Sequence, residues 1–238
     1  MKRLTTLIVL LLLHSTASAE RSISIGIESF EWTEPSLDLI EEGTRYNVGL
    51  SSGNLLSSSQ GFKHEFSGTI YQGTIDYDGS TQGGTPVQTD TKYAGFKGQI
   101  KLALRKSNFD LAGAIGIEKW SRDIISIKNT IGYEEKYSQP FVKLGVGYFH
   151  QRGTGKGRFE IGYKRPFDVE ETVAKFDITL EPEGTDSLYL HYRYQSNRRW
   201  GVTVYSEKTH FKESKIVGDF RQPESKSVAL GAQVSYRF

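Results

Sequence analysis

Among the 238 residues there is no cysteine, and the single methionine is the first residue. Disulfides, thiol catalysis, cysteine-based zinc sites and iron–sulfur clusters are therefore excluded. Long apolar runs are missing too: the longest, Leu7 to Leu13, falls well short of the ~20 residues a spanning helix needs. No basic run carries interleaved aromatics, so nucleic acid is not an expected partner. Net charge is small, +2 from 30 basic against 28 acidic residues, and it falls to zero without Lys2 and Arg3.

What is present begins with a leader. Lys2 and Arg3 form a basic start, Leu7 to Leu13 an apolar centre, and Ala17-Ser18-Ala19 a small-x-small cleavage site. Residues 1–19 read as a cleaved secretory signal rather than a membrane anchor, leaving residues 20–238 as one domain. An exported compartment permits disulfides, so a chain without them must be held together otherwise.

Composition points to an all-β class. The chain has 25 glycines, 13 tyrosines and 13 phenylalanines, as expected of short alternating strands with aromatic ends and glycine-rich turns. The final segment shows the alternation best. Val228, Leu230, Ala232, Val234, Tyr236 and Phe238 share one parity, and Ser227, Gln233, Ser235 and Arg237 lie on the other. Similar dyads recur: Phe96, Ile100 and Leu102 oppose Lys97 and Lys101; Leu111 and Ile115 oppose Asp110 and Ala114; Leu188 and Leu190 oppose His191. Eleven strand-like segments emerge, near 22–32, 43–51, 62–77, 90–105, 108–120, 137–150, 157–166, 173–181, 186–195, 200–211 and 225–238.

An exported β-sandwich would alternate as well, with its apolar face on a core. The opposite parity here is rich in Gly and Ala as well as charge, which suits a narrow lumen, and aromatics gather at strand ends. The expectation is a transmembrane, antiparallel, up-and-down β-barrel of ten to twelve strands, with Trp32, Trp120, Trp200, Tyr148, Tyr194 and Phe211 as interfacial girdles. Single-chain barrels of this kind have even strand numbers. Either 173–181 is a ribbon outside the membrane or Ile124 to Lys128 hides a further strand. Lys106-Ser107-Asn108 and Ser196-Asn197-Arg198-Arg199 suit periplasmic turns, whereas 77–90, 122–136 and 212–224 suit outer loops.

The Ala17-Ser18-Ala19 site, the dyads and the closing Tyr236-Arg237-Phe238 together resemble the broad superfamily of small Gram-negative outer-membrane β-barrel proteins. Segments such as Gly73-Thr74-Ile75-Asp76-Tyr77-Asp78-Gly79 and Gln222-Pro223-Glu224-Ser225-Lys226 are similar to stretches recurrent among its members. The resemblance covers residues 20–238. It implies location in the outer membrane, contact with outer-membrane lipids and lipopolysaccharide, and a C-terminal signal, Tyr236 and Phe238, for the barrel-assembly machinery. It implies nothing definite about activity.

Enzymes of this architecture provide a direct comparison. Omptin-like proteases use Asp-Asp and Asp-His pairs at the outer rim, and neither His64-Glu65 nor Thr209-His210-Phe211 has that spacing. Lipid A deacylases need His-x-Ser on the lipid face, a spacing none of His64, His150, His191 and His210 has. No local signature resembles a palmitoyl transferase site. Asp76, Asp78 and Asp90 match no defined calcium loop and read as a solvated acidic loop. No catalytic residue, metal or cofactor is expected.

The inward parity carries the candidate site. Lys97, Lys101, Arg105, Asp110, Glu118, Lys143, Arg158, Glu160, Lys164, His191, Arg193 and Arg237 are expected in the lumen, with Lys175, Asp177 and Glu207 on the same parity. Both signs are present in comparable numbers. Paired across a narrow interior, these charges make a polar core, since an unpaired buried charge costs several kcal/mol. Left apart, they line a narrow pathway for small solutes. The first alternative leads to a non-enzymatic barrel with an envelope-structural or surface-interaction role through its outer loops. The second leads to a porin-like channel, and a barrel enzyme acting on lipid A or peptides stands third.

Overall fold

The structure, a computed structural model, describes residues 19–80, 84–127, 130–196 and 198–238. The expected signal segment lies outside the described residues apart from Ala19, as do residues 81–83 of the first long loop, Lys128 and Asn197. The described strands are β1 (Glu20–Glu34), β2 (Leu39–Gly53), β3 (Gly61–Ser80), β4 (Pro86–Lys106), β5 (Phe109–Ile124) and β6 (Glu134–Arg152). They continue with β7 (Gly155–Pro166), β8 (Glu170–Val173), β9 (Ile178–Leu180), β10 (Ser187–Gln195), β11 (Trp200–Phe211) and β12 (Ser225–Arg237).

Ten of these form a closed antiparallel barrel. Each strand pairs with its sequence neighbour, β7 pairs with β10, and β1 meets β12 from Ser22↔Arg237 to Thr33↔Lys226. The tenfold count settles the parity. Segment 173–181 adds no further spanning strand: β8 and β9 form a small hairpin that continues the sheet beyond β7, pairing with the outer end of β6 from Glu135↔Val173 to Ser138↔Glu170. Ile124 ends β5, and Ile127 makes only an isolated bridge to Thr130. Asp76 and Asp90 lie opposite one another on β3 and β4, not in a loop.

Short turns mark one rim. Ser107 adopts a left-handed backbone (φ 55°) between β4 and β5, and Gly153 (φ 58°) does so between β6 and β7. The start of β1 and the end of β12 lie on that rim, where Arg237 contacts Glu20 at 2.7 Å. It is the periplasmic rim, and the long connections lie on the other. Above that rim an outward belt of Ile25, Leu50, Ile70, Leu111, Leu144 and Val234 is solvent-accessible in the isolated chain and therefore faces lipid. Immersed in hydrocarbon, such side chains avoid a cost of about 1.5–3 kcal/mol each in water.

Higher up, the alternation reverses. In β1, Ile23, Ile25 and Ile27 point out, whereas Phe30 and Trp32 are buried inside. The same reversal runs from Ile70 out to Ile75 and Tyr77 in, from Phe96 out to Tyr93 in, and from Ile117 out to Trp120 in. Over these upper segments the outward face is Glu31, Asp76, Asp78, Lys92, Lys119 and Asp123. The strands thus leave the outer leaflet and continue as a water-exposed barrel with an apolar core of its own. Trp32, Trp120 and Phe211 belong to that core, and the expectation of a girdle role for them is corrected. Trp200 and Tyr148 stay outside near the periplasmic rim, where His150 stacks on Tyr192 at 6.1 Å. Lys175 and Asp177 are not in the lumen either: they are exposed on the one-turn helix Ala174–Phe176 and its cap.

Inward glycines accommodate inward rings. A Cβ on Gly95 would strike Tyr71 at 2.7 Å, one on Gly145 would strike Tyr189 Oη at 2.4 Å, and one on Gly231 would strike Tyr205 at 2.4 Å. Each tyrosine lies flat over a glycine of a nearby strand, which stiffens both. Replacing Gly231 by Val forces Tyr205 away from Glu28 and is expected to cost about 1–3 kcal/mol. A lower temperature for converting the folded gel band to the unfolded one would register it; an unchanged temperature would contradict the packing.

Candidate functional site

Every inward carboxylate at mid-height has cationic partners from other strands. Glu207 on β11 receives Lys97 of β4 and Lys143 of β6, lies 2.9 Å from His191 Nε2, and is 3.7 Å from Lys164. Glu118 on β5 accepts from Lys164 at 3.2 Å and from the Tyr71 hydroxyl at 3.0 Å. Glu160 on β7 holds Lys101 at 2.8 Å, its strand neighbour Arg158, and the Tyr189 hydroxyl at 2.6 Å. Closer to the periplasm, Asp110 bridges Arg105 and Arg158 at 2.8 and 2.5 Å, and Glu65 pairs with Arg193. Arg237 sits at the rim on Glu20. The twelve sequence candidates thus all lie on the lumen face, eleven within this lattice and Arg237 at its mouth.

Several members escaped the sequence reading. Glu28 and Arg45 pair at 2.6 Å, with Arg45 over the Phe30 ring at 3.6 Å. Their strands were located, and the same parity rule applied to Ile27 and Tyr46 would have placed them inside. The connection Asn54 to Gln60 carried no sequence signal. It folds into the periplasmic end, burying Leu55 and Leu56, while Arg105 donates to the carbonyls of Leu55 (2.8 Å) and Ser57 (2.6 Å). This loop closes part of the lumen from below.

The outer end is closed by a second network above the membrane. Arg122 donates to Glu41 at 3.0 Å, Glu34 at 3.3 Å and Glu135 at 2.7 Å. Neutral donors complete the coordination: Trp32 Nε1 to Glu34 at 2.8 Å, Thr91 Oγ1 to Glu41 at 2.7 Å, Tyr93 to Glu41, and Tyr137 to Glu135 at 3.1 Å. Gln222 of the last outer loop reaches Glu34 at 3.3 Å. Trp120 stacks on Tyr137 at 4.6 Å, sealing the layer with Trp32, Tyr93 and Phe211. Glu171 of β8 is buried beside this cluster, and its Oε2 has no hydrogen-bond partner.

Three carboxylates therefore share one guanidinium, and a fourth carboxyl, Glu171, is buried beside them. Burial raises the Glu34 carboxyl against the opposing pull of Arg122. Burial, with Glu135 and Glu34 nearby, raises Glu171 well above the usual carboxylate range. A raised folded-state pKa means that the proton stabilises the fold. That contribution is complete below about pH 4, the unfolded value, and is lost as pH climbs through the raised one. Glu171→Gln, neutral throughout, should raise the unfolding temperature increasingly as pH climbs into the alkaline range and leave it unchanged near about pH 4, where the native carboxyl is protonated in both states. An equal gain at both would contradict the assignment.

Beneath the outer closure, beside the Asn54–Gln60 loop, lies a blind vestibule that opens at the periplasmic rim. It spans about 190 Å³ and runs from Ser22, Ser235 and Arg237 at the periplasmic mouth to Trp32 and Phe211 at the sealed end. Small polar side chains line the β1, β2 and β12 wall, and the ion-paired lattice fills the opposite side. No group of three or more His, Asp or Glu among the described residues could hold a metal ion.

The lattice gives a sharp contrast between buried and exposed pairs. Glu207→Ala leaves Lys97, Lys143 and Lys164 facing one another and should cost about 3–5 kcal/mol. Lys136→Ala, which breaks the exposed pair with Glu134, should cost less than about 1 kcal/mol. Equal effects in denaturant titration would contradict the paired lumen.

No family model and no curated protein matches the chain. Among solved structures, the β domain of the Bordetella autotransporter BrkA is similar, with a TM-score of 0.50 and 9% identity over 91% of this chain and 98% of that one. The outer-membrane protease OmpT of Escherichia coli gives 0.47 and 10%, covering 92% and 96%, and Ail of Yersinia pestis gives 0.41 and 12%, covering 93% and 99%. At such identity the likeness concerns the fold alone. With the closed ten-strand sheet and its lipid-facing belt, it gives this chain the fold of an outer-membrane-type β-barrel.

Proposed function

We propose that the protein is a closed, non-enzymatic barrel that acts at the cell surface through its outer loops. The observation that carries this is the double closure of the lumen, by the Arg122 layer outside and by the Asn54–Gln60 connection and the ion-paired lattice within. An open pore needs a continuous aqueous path, and opposed charges that neutralise one another offer none. The apolar belt contacts outer-membrane lipids and lipopolysaccharide, and the terminal strand with Tyr236 and Phe238 engages the barrel-assembly machinery.

Support for a surface role comes from the outer tip. Three loops converge there: Tyr133 and Phe176 rings lie 6.1 Å apart, and Phe176 and Phe220 lie 4.8 Å apart. Ile131 and Ile216 beside them are 72% and 66% exposed, well above the membrane belt. Apolar side chains clustered in water mark interaction sites. Catalysis finds less support. His210 is held between Thr185 Oγ1 (2.9 Å) and Glu224 (3.0 Å) in a hydroxyl–imidazole–carboxylate line, but the Thr185 N–H is committed to the His210 carbonyl at 2.9 Å and offers no oxyanion donor.

Planar-bilayer recording of the purified barrel should show no stable stepwise currents, and such currents would favour the channel instead. Triple replacement of Ile131, Phe176 and Ile216 by Ser should reduce cell attachment to protein-coated surfaces while leaving the folded gel band intact. Unchanged attachment would remove the surface role. Turnover of lipid A or peptides that is abolished by His191→Ala or His210→Ala would overturn the non-enzymatic assignment.

A further inference from the structure

We infer that the periplasm-facing vestibule is a binding site for a small, neutral, polyhydroxylated solute of monosaccharide size. The inference concerns the inner half of the barrel and does not depend on the surface role proposed for the outer loops.

Charge comes first. Each charged side chain at the vestibule wall already has an opposite partner: Arg45 with Glu28, Lys97 with Glu207, Lys101 with Glu160, and Arg193 with Glu65. An anionic or cationic guest would have to break such a pair and leave its partner buried and uncompensated, which is strongly unfavourable. A neutral guest avoids that cost.

Polar groups that do lack partners are amides, not ions. Gln139 and Gln195 are both more than nine-tenths buried and both line the cavity, yet Gln139 Oε1 and Gln195 Nε2 have no hydrogen-bond partner, and Gln99 Oε1 is in the same position. These two acceptors and one donor lie in the wall with almost no accessible surface, so a guest reaches them only by drawing the amide side chains inward. Hydroxyl groups, which donate and accept, are the complement to such a mixed set. Ser24, Ser51, Ser67 and Thr69 extend the same chemistry towards the mouth.

Shape narrows the class further. A cavity of about 190 Å³ admits a small guest and lies below the size of drug-like pockets. The closed end is aromatic, with Phe30, Trp32 and Phe211 lining it. A guest with hydroxyls on its edge and C–H groups on its face satisfies both ends. Entry is from the periplasm, because the outer end is sealed by the Arg122 layer.

The absence of cysteine provides a clean assay, since one introduced thiol is unique. In the folded mature chain in detergent, the Ser24→Cys thiol should react with a small maleimide, and D-glucose or N-acetyl-D-glucosamine at millimolar concentration should slow that reaction about fivefold or more. A Lys136→Cys control on the outer wall should show no protection. Glutamate and phosphate should protect Ser24→Cys at least several-fold less than the sugars. Filling the mouth with Ser235→Trp or, independently, Ser51→Trp should reduce sugar affinity about tenfold, measured by equilibrium dialysis on variants that keep the folded gel band. No protection by either sugar, equal protection by phosphate or glutamate, or unchanged affinity in both folded Trp variants would overturn the inference. Failure of bilayer closure or of surface attachment would leave these readouts unchanged.

Discussion

The pairing of β1 with β12 is the constraint on which the rest of the structure depends. Within hydrocarbon no water can satisfy backbone N–H and C=O groups, so a sheet that crosses a membrane must close on itself. Twelve register pairs, from Ser22↔Arg237 to Thr33↔Lys226, complete that closure. Once the sheet is closed, the pleat divides every strand into a lipid face and a lumen face, and ten strands leave an interior wider than an eight-strand barrel can fill with ordinary side chains. Long inward groups must then meet across it. Lysines, arginines and tyrosines do so here, laid over glycines that make room for them.

Charge in that interior is costly unless it is matched. The lattice around Glu207, Glu118, Glu160 and Asp110 joins β4, β5, β6, β7, β10 and β11, and most of its ion pairs tie strands that are not neighbours in the wall. Buried pairs of this kind add little net stability over an apolar packing, but losing one member is expensive. They specify the barrel more than they strengthen it. A chain without disulfides obtains its definition from this source, and the Glu28–Arg45 and Glu65–Arg193 pairs extend it to β1, β2 and β3.

Parity made much of the lumen legible from the amino-acid sequence. Where a strand lies in the membrane, as at Phe96 to Leu104 or Leu111 to Ile117, the lipid face is apolar and the opposite residues are correctly placed inside. Three classes of residue escaped. Trp32, Trp120 and Phe211 read in the sequence as girdle residues because strand-end aromatics in a barrel usually are, and only the burial of their segment shows them facing inward. Lys175 and Asp177 were placed inside on a strand parity that does not hold over the one-turn helix Ala174–Phe176. The Asn54–Gln60 connection closes the periplasmic end through main-chain carbonyls, which have no side-chain signature.

The reversal of alternation explains why the two ends of the lumen differ. In the membrane, solvent outside the barrel is apolar, so polar groups turn inward and the interior is free to hold charge, serines and a cavity. Beyond the outer leaflet the surrounding solvent is water. The driving force on each strand then changes sign: Glu31, Asp76, Lys92 and Asp123 turn out, and Phe30, Trp32, Ile75, Tyr93 and Trp120 collapse inward. An aromatic core in water packs densely, as any soluble interior does, and so the outer end is sealed by the same hydrophobic effect that keeps the inner half polar. Arg122 and its carboxyls are the polar groups trapped in that collapse, which is why they are paired and hydrogen-bonded by tyrosine, tryptophan and threonine. A plugged outer end and a polar inner vestibule are two consequences of one barrel passing from lipid into water.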